Sequence, residues 1–305
     1  MKPKKGSHLS WSKNEKFLTM KQILLLITAA VAVSPASIFI LLADAPPLSV
    51  AFYRMFFASI ILAPIFFWRY LSGRFESISR KKLLQSIASG LFLSAHFATW
   101  ITSLFYTPVA NSVILVTTQP VFVALLGWLF LKERLRWSGV IGILIAVLGA
   151  IVIAGGDFNL SPEYLIGDVL ALIGVVMAAS YITIGREVRK EVHLLSYTFL
   201  CYTFSAIGLF FIVILFKQPL YGFQPKSYLY FVLLGLIPSV LGHSLYNWAL
   251  KYLKAYIVGV CILGEPIGAT LLAWAVLKQE PTIYFYFGAI LIGVGLIVLF
   301  SSERE

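Results

Sequence analysis

Charged residues are scarce in this chain, and acidic ones are scarcer than basic ones. Only 12% of the 305 residues are charged, with 13 acidic against 24 basic side chains, while 60% are hydrophobic. That composition excludes an ordinary soluble domain. No apolar run shows the strand-type alternation of a membrane barrel. The sequence therefore predicts an all-α membrane protein.

Residues and motifs that mark catalytic or metal centres are also missing. The two cysteines, Cys201 and Cys261, have no metal-ligand spacing, and the histidines show no paired-ligand pattern, so no metal site is expected. The chain contains no nucleophile elbow, no P-loop and no zinc-protease motif. We expect neither enzyme activity nor a cofactor, with protons as a coupling ion left open.

Runs of about 20 apolar residues, the length that crosses the hydrocarbon core as a helix, are the dominant feature of the sequence. Ten such runs occur, at residues 23–42, 48–68, 83–104, 108–131, 137–153, 166–184, 195–216, 228–250, 255–277 and 283–300. The first run is too long for the core of a signal peptide, so we interpret it as a retained helix.

Lysine and arginine are distributed unevenly between alternate loops. With the N-terminus inside, twenty lie on that side, three lie on the other, and Arg54 falls within a span. Positive charge favours the cytoplasmic side. We predict a multi-pass protein of the inner or cell membrane with cytoplasmic termini: a basic tail over 1–22 and a short tail over 301–305. The tail is interpreted as a topology signal near anionic lipid, not as a nucleic-acid site.

The chain contains an internal repeat. A shift of 146 residues aligns "YTPVANSVILVTTQPVFVALLGWLFLKERL", which begins at Tyr106, with "YLKAYIVGVCILGEPIGATLLAWAVLKQEP", which begins at Tyr252. The register pairs Pro120 with Pro266 and Trp128 with Trp274. Five spans per repeat, over 23–153 and 166–300, would insert the second copy upside down. Inverted repeats are typical of alternating-access transporters.

These segments, together with "AFYRMFFASIILAP" around Arg54 and "GHSLYNWALKY" from Gly242, resemble the EamA-type members of the drug/metabolite transporter superfamily. The resemblance implies a carrier with ten transmembrane helices and a central cavity, often an exporter of amino acids or related metabolites. Its expected partners are a small-molecule substrate and the lipid bilayer, and a monomer would suffice in principle. A membrane channel, or a non-transporting subunit of a larger assembly, stays the alternative.

Glu265 stands near the middle of an apolar span, directly before Pro266. A charged carboxylate at that depth costs at least ~2.5 kcal/mol, so it must face the protein interior or water, or be protonated. The repeat places Gln119 and Pro120 at the matching position. Each proline is expected to break its helix and free a carbonyl one turn earlier, at Val116 and Ile262. One interpretation makes Glu265 a proton carrier or a ligand for a cationic group. In the other, the side chains of Glu265 and Gln119 only form hydrogen bonds between helices.

Other polar and aromatic side chains within the spans form the remaining site candidates. Arg54 is interpreted as a clamp for a substrate carboxylate or a partner of Glu265, or else as a residue that packs or reaches the membrane interface. His96 and His243 are packing residues, substrate contacts or proton relays. Four further residues either form an aromatic and amide wall that contacts the substrate or only pack against their neighbours: Trp100, Tyr246, Asn247 and Trp248.

Two further patterns concern helix packing and membrane anchoring. Trp128 and Trp274 lie near span ends and are predicted interfacial anchors. The pairs Gly264 with Gly268 and Ala289 with Gly293 have the small-residue spacing that lets helices approach closely.

Overall fold

The computed structural model describes residues 19–107, 109–154, 162–278 and 280–303, a part of the chain that is built from helices and contains no strand. Its α-helices are α1 Met20–Val33, α2 Ala36–Leu42, α3 Pro47–Leu71, α4 Arg80–Ser103, α5 Val109–Val116, α6 Gln119–Leu126, α7 Trp137–Ala154, α8 Leu165–Arg189, α9 Leu194–Leu215, α10 Pro225–Leu234, α11 Ser244–Ala249, α12 Ala255–Cys261, α13 Gly264–Leu277 and α14 Ile283–Ser302. The predicted tails lie largely outside the described residues, since 1–18 and 304–305 are not among them.

Seven helical stretches of the described chain are long and apolar enough to cross a membrane. They are Met20–Leu42, Pro47–Leu71, Pro162–Arg189, Leu194–Leu215, Pro225–Ala249, Ala255–Leu272 and Ile283–Ser302. Shorter apolar helices cover Gln119–Leu131 and Trp137–Ile153, whereas α4 is in neither group. Length and hydropathy therefore support a multi-pass membrane protein without confirming ten spans.

Helix α4 is less apolar than the others because it carries polar side chains into the bundle. Its serines and His96 are buried, and Ser89 Oγ lies 2.7 Å from the hydroxyl of Tyr197 in α9. At the start of α4, the buried Lys82 Nζ donates to the backbone carbonyl of Glu187 over 2.9 Å. These partners satisfy the polar groups, so a helix of modest hydropathy can lie in the interior.

Helices of the first half pack in pairs against helices of the second half. Helix α3 packs against α9, α6 against α12 and α7 against α14, while α4 contacts α8 and α1 contacts α11. Lys132 and Lys278, which the 146-residue shift aligns, both follow a helix in the left-handed conformation, with φ of 57° and 59°. Helices of the two halves are therefore neighbours throughout one bundle.

Several predicted element boundaries and shapes are wrong. The sixth span was expected to end at 184, but α8 continues to Arg189, because Arg189 is buried and donates to the backbone carbonyl of Asn247. The first span is interrupted between α1 and α2, at Ser34 and Pro35. π-Helical turns, which re-route a helix locally, cover Gly127–Leu131 and Gly235–His243.

Glycines allow two close helix contacts. Gly264 and Gly268 face α1, near Ala30 and Ser34, as their spacing predicts. In α14, however, the close approach to α7 is made by Gly288 and Gly295 rather than by the predicted Ala289 and Gly293. A Cβ on Gly293 would meet nothing within 4 Å. The predicted pair, Ala289 and Gly293, therefore does not lie on the face of α14 that packs against α7.

Gly149 in α7 offers a test of this contact. A Cβ added there would lie 2.6 Å from the carbonyl oxygen of Gly288 and 2.7 Å from the amide nitrogen of Ile292, both backbone atoms that cannot swing away. We expect Gly149→Ala to destabilise the protein by about 1–3 kcal/mol. Thermal unfolding in detergent should show a lowered Tm. Gly293→Ala is the control and should leave the Tm unchanged or raised, and equal Tm values for both variants would contradict this packing.

Candidate functional site

A central cavity lies between the two halves of the bundle. The predicted site residues that line it are Arg54, His96, Trp100, Gln119, His243, Tyr246, Asn247 and Glu265. Trp248 is not among the lining residues; it is half-buried and packs against Tyr252, with ring centroids 4.8 Å apart. The structure therefore brings together side chains from both repeats, leaving Trp248 aside.

A second cavity adjoins the first. Trp100, Gln119 and Glu265 line both, so the two spaces meet at these side chains. The second space extends between Pro120 and Pro266 and is otherwise lined mainly by apolar and small residues. The site thus has a polar compartment and a more apolar one.

Two interrupted helices supply the middle of the cavity. One break separates α5 from α6 at 117–118, and the other separates α12 from α13 at 262–263. Each proline lies in the first turn of the next helix, where its missing N–H costs nothing. The carbonyl of Ile262 was expected to be free, but it accepts the N–H of Glu265 over 2.9 Å. That prediction is wrong because the chain tightens into turns with bonds between residues three apart.

Gln119 and Glu265 occupy matching positions at these two breaks and face the same space. Gln119 is buried, whereas Glu265 is partly exposed to the cavity. Among the described residues, neither side chain has a hydrogen-bond partner in the protein. The interpretation of both as hydrogen-bonding links between helices has no contact in the described chain to support it. The Glu265 carboxylate is available to a ligand or a proton.

Arg54 is fully enclosed, with 1% of its surface exposed. Its Nε donates to Ser239 Oγ over 3.0 Å, and its guanidinium carbon lies 4.1 Å from the centroid of the Phe97 ring. The alternative in which it extends to the membrane interface is therefore wrong. No nitrogen–oxygen distance between the side chains of Arg54 and Glu265 is within 4.0 Å, so the two groups line the same cavity without forming an ion pair.

One nitrogen of the Arg54 guanidinium and the ring nitrogen of Trp100 are buried hydrogen-bond donors without a partner in the described chain. The Trp100 ring stacks parallel to His96 at 5.7 Å, and His96 Nδ1 lies 2.9 Å from the carbonyl oxygen of Gly174. Because a carbonyl only accepts, Nδ1 carries the proton and donates. Buried polar groups are normally satisfied, so the two unpaired donors indicate a place for a hydrogen-bond acceptor.

Sequence reasoning missed Tyr181 and Phe97, which also line the cavity. The Tyr181 hydroxyl donates to Asn247 Oδ1 over 2.8 Å and fixes that amide. Phe97 lies between the guanidinium of Arg54 and the ring of His243, whose centroid is 5.8 Å away. Tyr181 had a usable signal, since a tyrosine within a predicted apolar span needs a polar partner for its hydroxyl. Phe97 had no such signal, because nothing in the sequence distinguishes it from the other phenylalanines of the chain.

Trp128 and Trp274 lie on the outside of the bundle. Their side chains are 60% and 49% exposed, well away from the cavity lining. Outward-facing tryptophans near helix ends suit contact with lipid headgroups. Their role as anchors stays a prediction.

Comparisons with known proteins place these features in a family. A sequence model of the EamA-like transporter family matches residues 20–155 and again 165–301. An uncharacterized transporter of Archaeoglobus fulgidus is 25% identical over 274 residues, covering 87% of this chain and 91% of its own. An uncharacterized transporter of Clostridium kluyveri is 24% identical over 212 residues, which is 66% of each chain.

A solved crystal structure is similar in fold. It shares 21% sequence identity with this chain, has a TM-score of 0.77, and the match covers 92% of this chain and 96% of the other. The names of the relatives indicate a transporter rather than an enzyme. Matches to both halves, together with the apolar helices, lead to one conclusion: the chain is an integral membrane transporter that belongs to the EamA-like transporter family of the drug/metabolite transporter superfamily.

Proposed function

We propose that the protein is a secondary transporter that moves a small zwitterionic metabolite, such as an amino acid, by alternating access. The observation that carries this proposal is a cavity, lined by both halves, in which the buried guanidinium of Arg54, with one unpaired nitrogen, and the carboxyl group of Glu265 line the same space. Ten membrane passes, arranged as inverted repeats over 23–153 and 166–300, would give two states of similar energy, open to opposite sides.

Charge and hydrogen-bonding capacity support a zwitterionic substrate. Arg54 and Trp100 offer unpaired donors, which suit the oxygens of a carboxylate. Glu265 and Gln119 offer acceptors without protein partners, which suit an ammonium group. A substrate with both charges would neutralise both sides of the cavity at once, whereas an ion of one sign would leave an uncompensated charge.

The apolar compartment supports a substrate that also has a hydrophobic part. It lies beyond Trp100 and Glu265, between the two prolines, and includes Gly259 and Ala269. A charged head group between Arg54 and Glu265 would direct an attached side chain into this space. Apolar or aromatic amino acids and comparable amphipathic metabolites fit that division.

The distribution of positive charge supports one orientation of the bundle in the membrane. We place the end of the bundle that carries Arg80, Lys82, Arg134, Arg186 and Lys251, here called the basic end, in the cytoplasm. Both termini would then be cytoplasmic, and export is the favoured direction on grounds of family resemblance. Proton coupling through Glu265 belongs to the same proposal, because this carboxylate is the titratable member of the pair with Gln119.

Counterflow in proteoliposomes tests the transport proposal. Purified protein, reconstituted alone and loaded with an unlabelled amino acid, is expected to accumulate the labelled compound transiently, because a carrier exchanges across its two states. A channel would give flux without this acceleration by internal substrate. Absence of flux for any compound in a broad metabolite panel would favour the non-transporting subunit.

Arg54→Gln is expected to lower uptake of a carboxylate-bearing substrate about ten- to hundredfold, the effect of losing a hydrogen bond to a charged group. Arg54→Lys should recover part of the loss, because it restores the charge but not the planar fork. The matched control is Arg74→Gln, which removes an arginine lying 5.2 Å from the Trp68 ring, away from the cavity. Equal uptake in the folded Arg54→Gln and Arg74→Gln proteins would refute the carboxylate clamp.

Glu265→Gln tests proton coupling. The amide resembles Gln119 and cannot release a proton, so whatever uptake the variant retains at equal pH should no longer rise when a pH gradient is imposed. Labelled uptake with and without an imposed gradient measures both activities in one preparation. Glu163→Gln, at an exposed position, is the control. A folded Glu265→Gln protein that still accumulates substrate in response to the gradient would rule out this role.

A further inference from the structure

Leu250 closes the cavity toward the basic end of the bundle. It lines the cavity and is only 1% exposed. Leu253, at 8%, and Ala255 and Tyr256, both at 0%, are enclosed as well, whereas Lys251 and Tyr252, directly after Leu250, are exposed. The enclosed side chains form a packed floor between the cavity and the basic end.

The backbone of this floor is held by Arg186. Its Nη1 donates to the carbonyl oxygens of Leu250 over 2.7 Å and Lys251 over 3.1 Å. Its Nε donates to Glu133 Oε1 over 3.0 Å. The other oxygen of Glu133 accepts the amide hydrogen of Ala255, at the start of α12, over 2.9 Å. One ion pair thus ties both ends of the α11–α12 connection.

This ion pair joins the two halves of the protein. Glu133 follows α6 in the first half, whereas Arg186, Leu250 and Ala255 belong to the second. Any separation of the halves at the basic end would have to break it. The paired side chains are 15% and 9% exposed, close enough to the end of the bundle for water to solvate both charges once they part.

The sequence repeat does not reproduce this pair. The 146-residue shift places Gln279 where Glu133 stands. An amide carries no charge and cannot form an ion pair with an arginine. Glu133 is therefore a position at which the two halves of an otherwise pseudo-symmetric molecule differ.

We propose that Glu133 and Arg186 form a latch that closes the substrate cavity at the basic end, and that its opening admits substrate from that side. This inference rests on the alternating access proposed above. The latch acts through Leu250. While the ion pair is intact, the floor is fixed. Once the ion pair breaks, the α11–α12 connection can move away from α8.

Side-selective labelling tests the latch without requiring transport. Ala178, which lines the cavity, is replaced by cysteine in a protein whose Cys201 and Cys261 are replaced by alanine. A membrane-impermeant thiol reagent is applied to oriented vesicles from either side. Glu133→Gln is expected to speed labelling from the basic end about tenfold, the effect of losing a hydrogen bond between charged groups.

A second variant and a matched control sharpen the result. Arg186→Lys keeps the charge but cannot bridge Glu133 and the Leu250 carbonyl together, so it should also speed labelling from that end. Glu187→Gln is the control, because the Lys82–Glu187 pair, at 3.0 Å, also joins the halves there but holds no residue of the floor.

The outcomes separate the latch from the transport proposal. Faster labelling from the basic end in both latch variants, with the control unchanged, supports the latch even if no substrate is found. Labelling no faster than in Glu187→Gln, in folded protein, overturns the latch even if counterflow succeeds.

Discussion

The rest of the site must stabilise the buried guanidinium of Arg54. A cation in the interior of an apolar bundle is stable only if neighbouring groups replace its water. Ser239 and the face of Phe97 contact it, and the Glu265 carboxyl group lines the same cavity. Since Arg54 belongs to the first half and Ser239 and Glu265 to the second, meeting this requirement draws the halves together around one space.

The two halves have similar backbones, whereas the charged side chains of the site differ between them. Matching helix breaks at 117–118 and 262–263, and matching left-handed residues after α6 and α13, give the two halves the same backbone design. The charges do not repeat: Gln119 stands at the position that matches Glu265, and Gln279 at the position that matches Glu133. A pseudo-symmetric backbone thus carries an asymmetric site that is set by a few side chains.

Much of this arrangement could be predicted from sequence because periodic features report on helices and repeats. The 146-residue shift located both prolines and their polar neighbours, and helix breaks lie there. The sequence left Arg54 open between the cavity, a packing role and the membrane interface, since depth along a span does not reveal which way a side chain points. The free carbonyl at Ile262 and the packing face of α14 were wrong, because local turns and helix rotation depend on neighbours. The latch combines Glu133 with residues far along the chain, and no pattern links them.

The central claim is that Arg54 and Glu265 recognise opposite charges of one substrate. Calorimetric binding of three compounds with one skeleton tests it most directly: an amino acid, its amide without the carboxylate, and its N-acetyl form without the ammonium group. The account predicts tightest binding of the amino acid, with Arg54→Gln removing its advantage over the amide and Glu265→Gln its advantage over the N-acetyl form. Equal affinity for all three compounds, or preferences unchanged in the two variants, would contradict it.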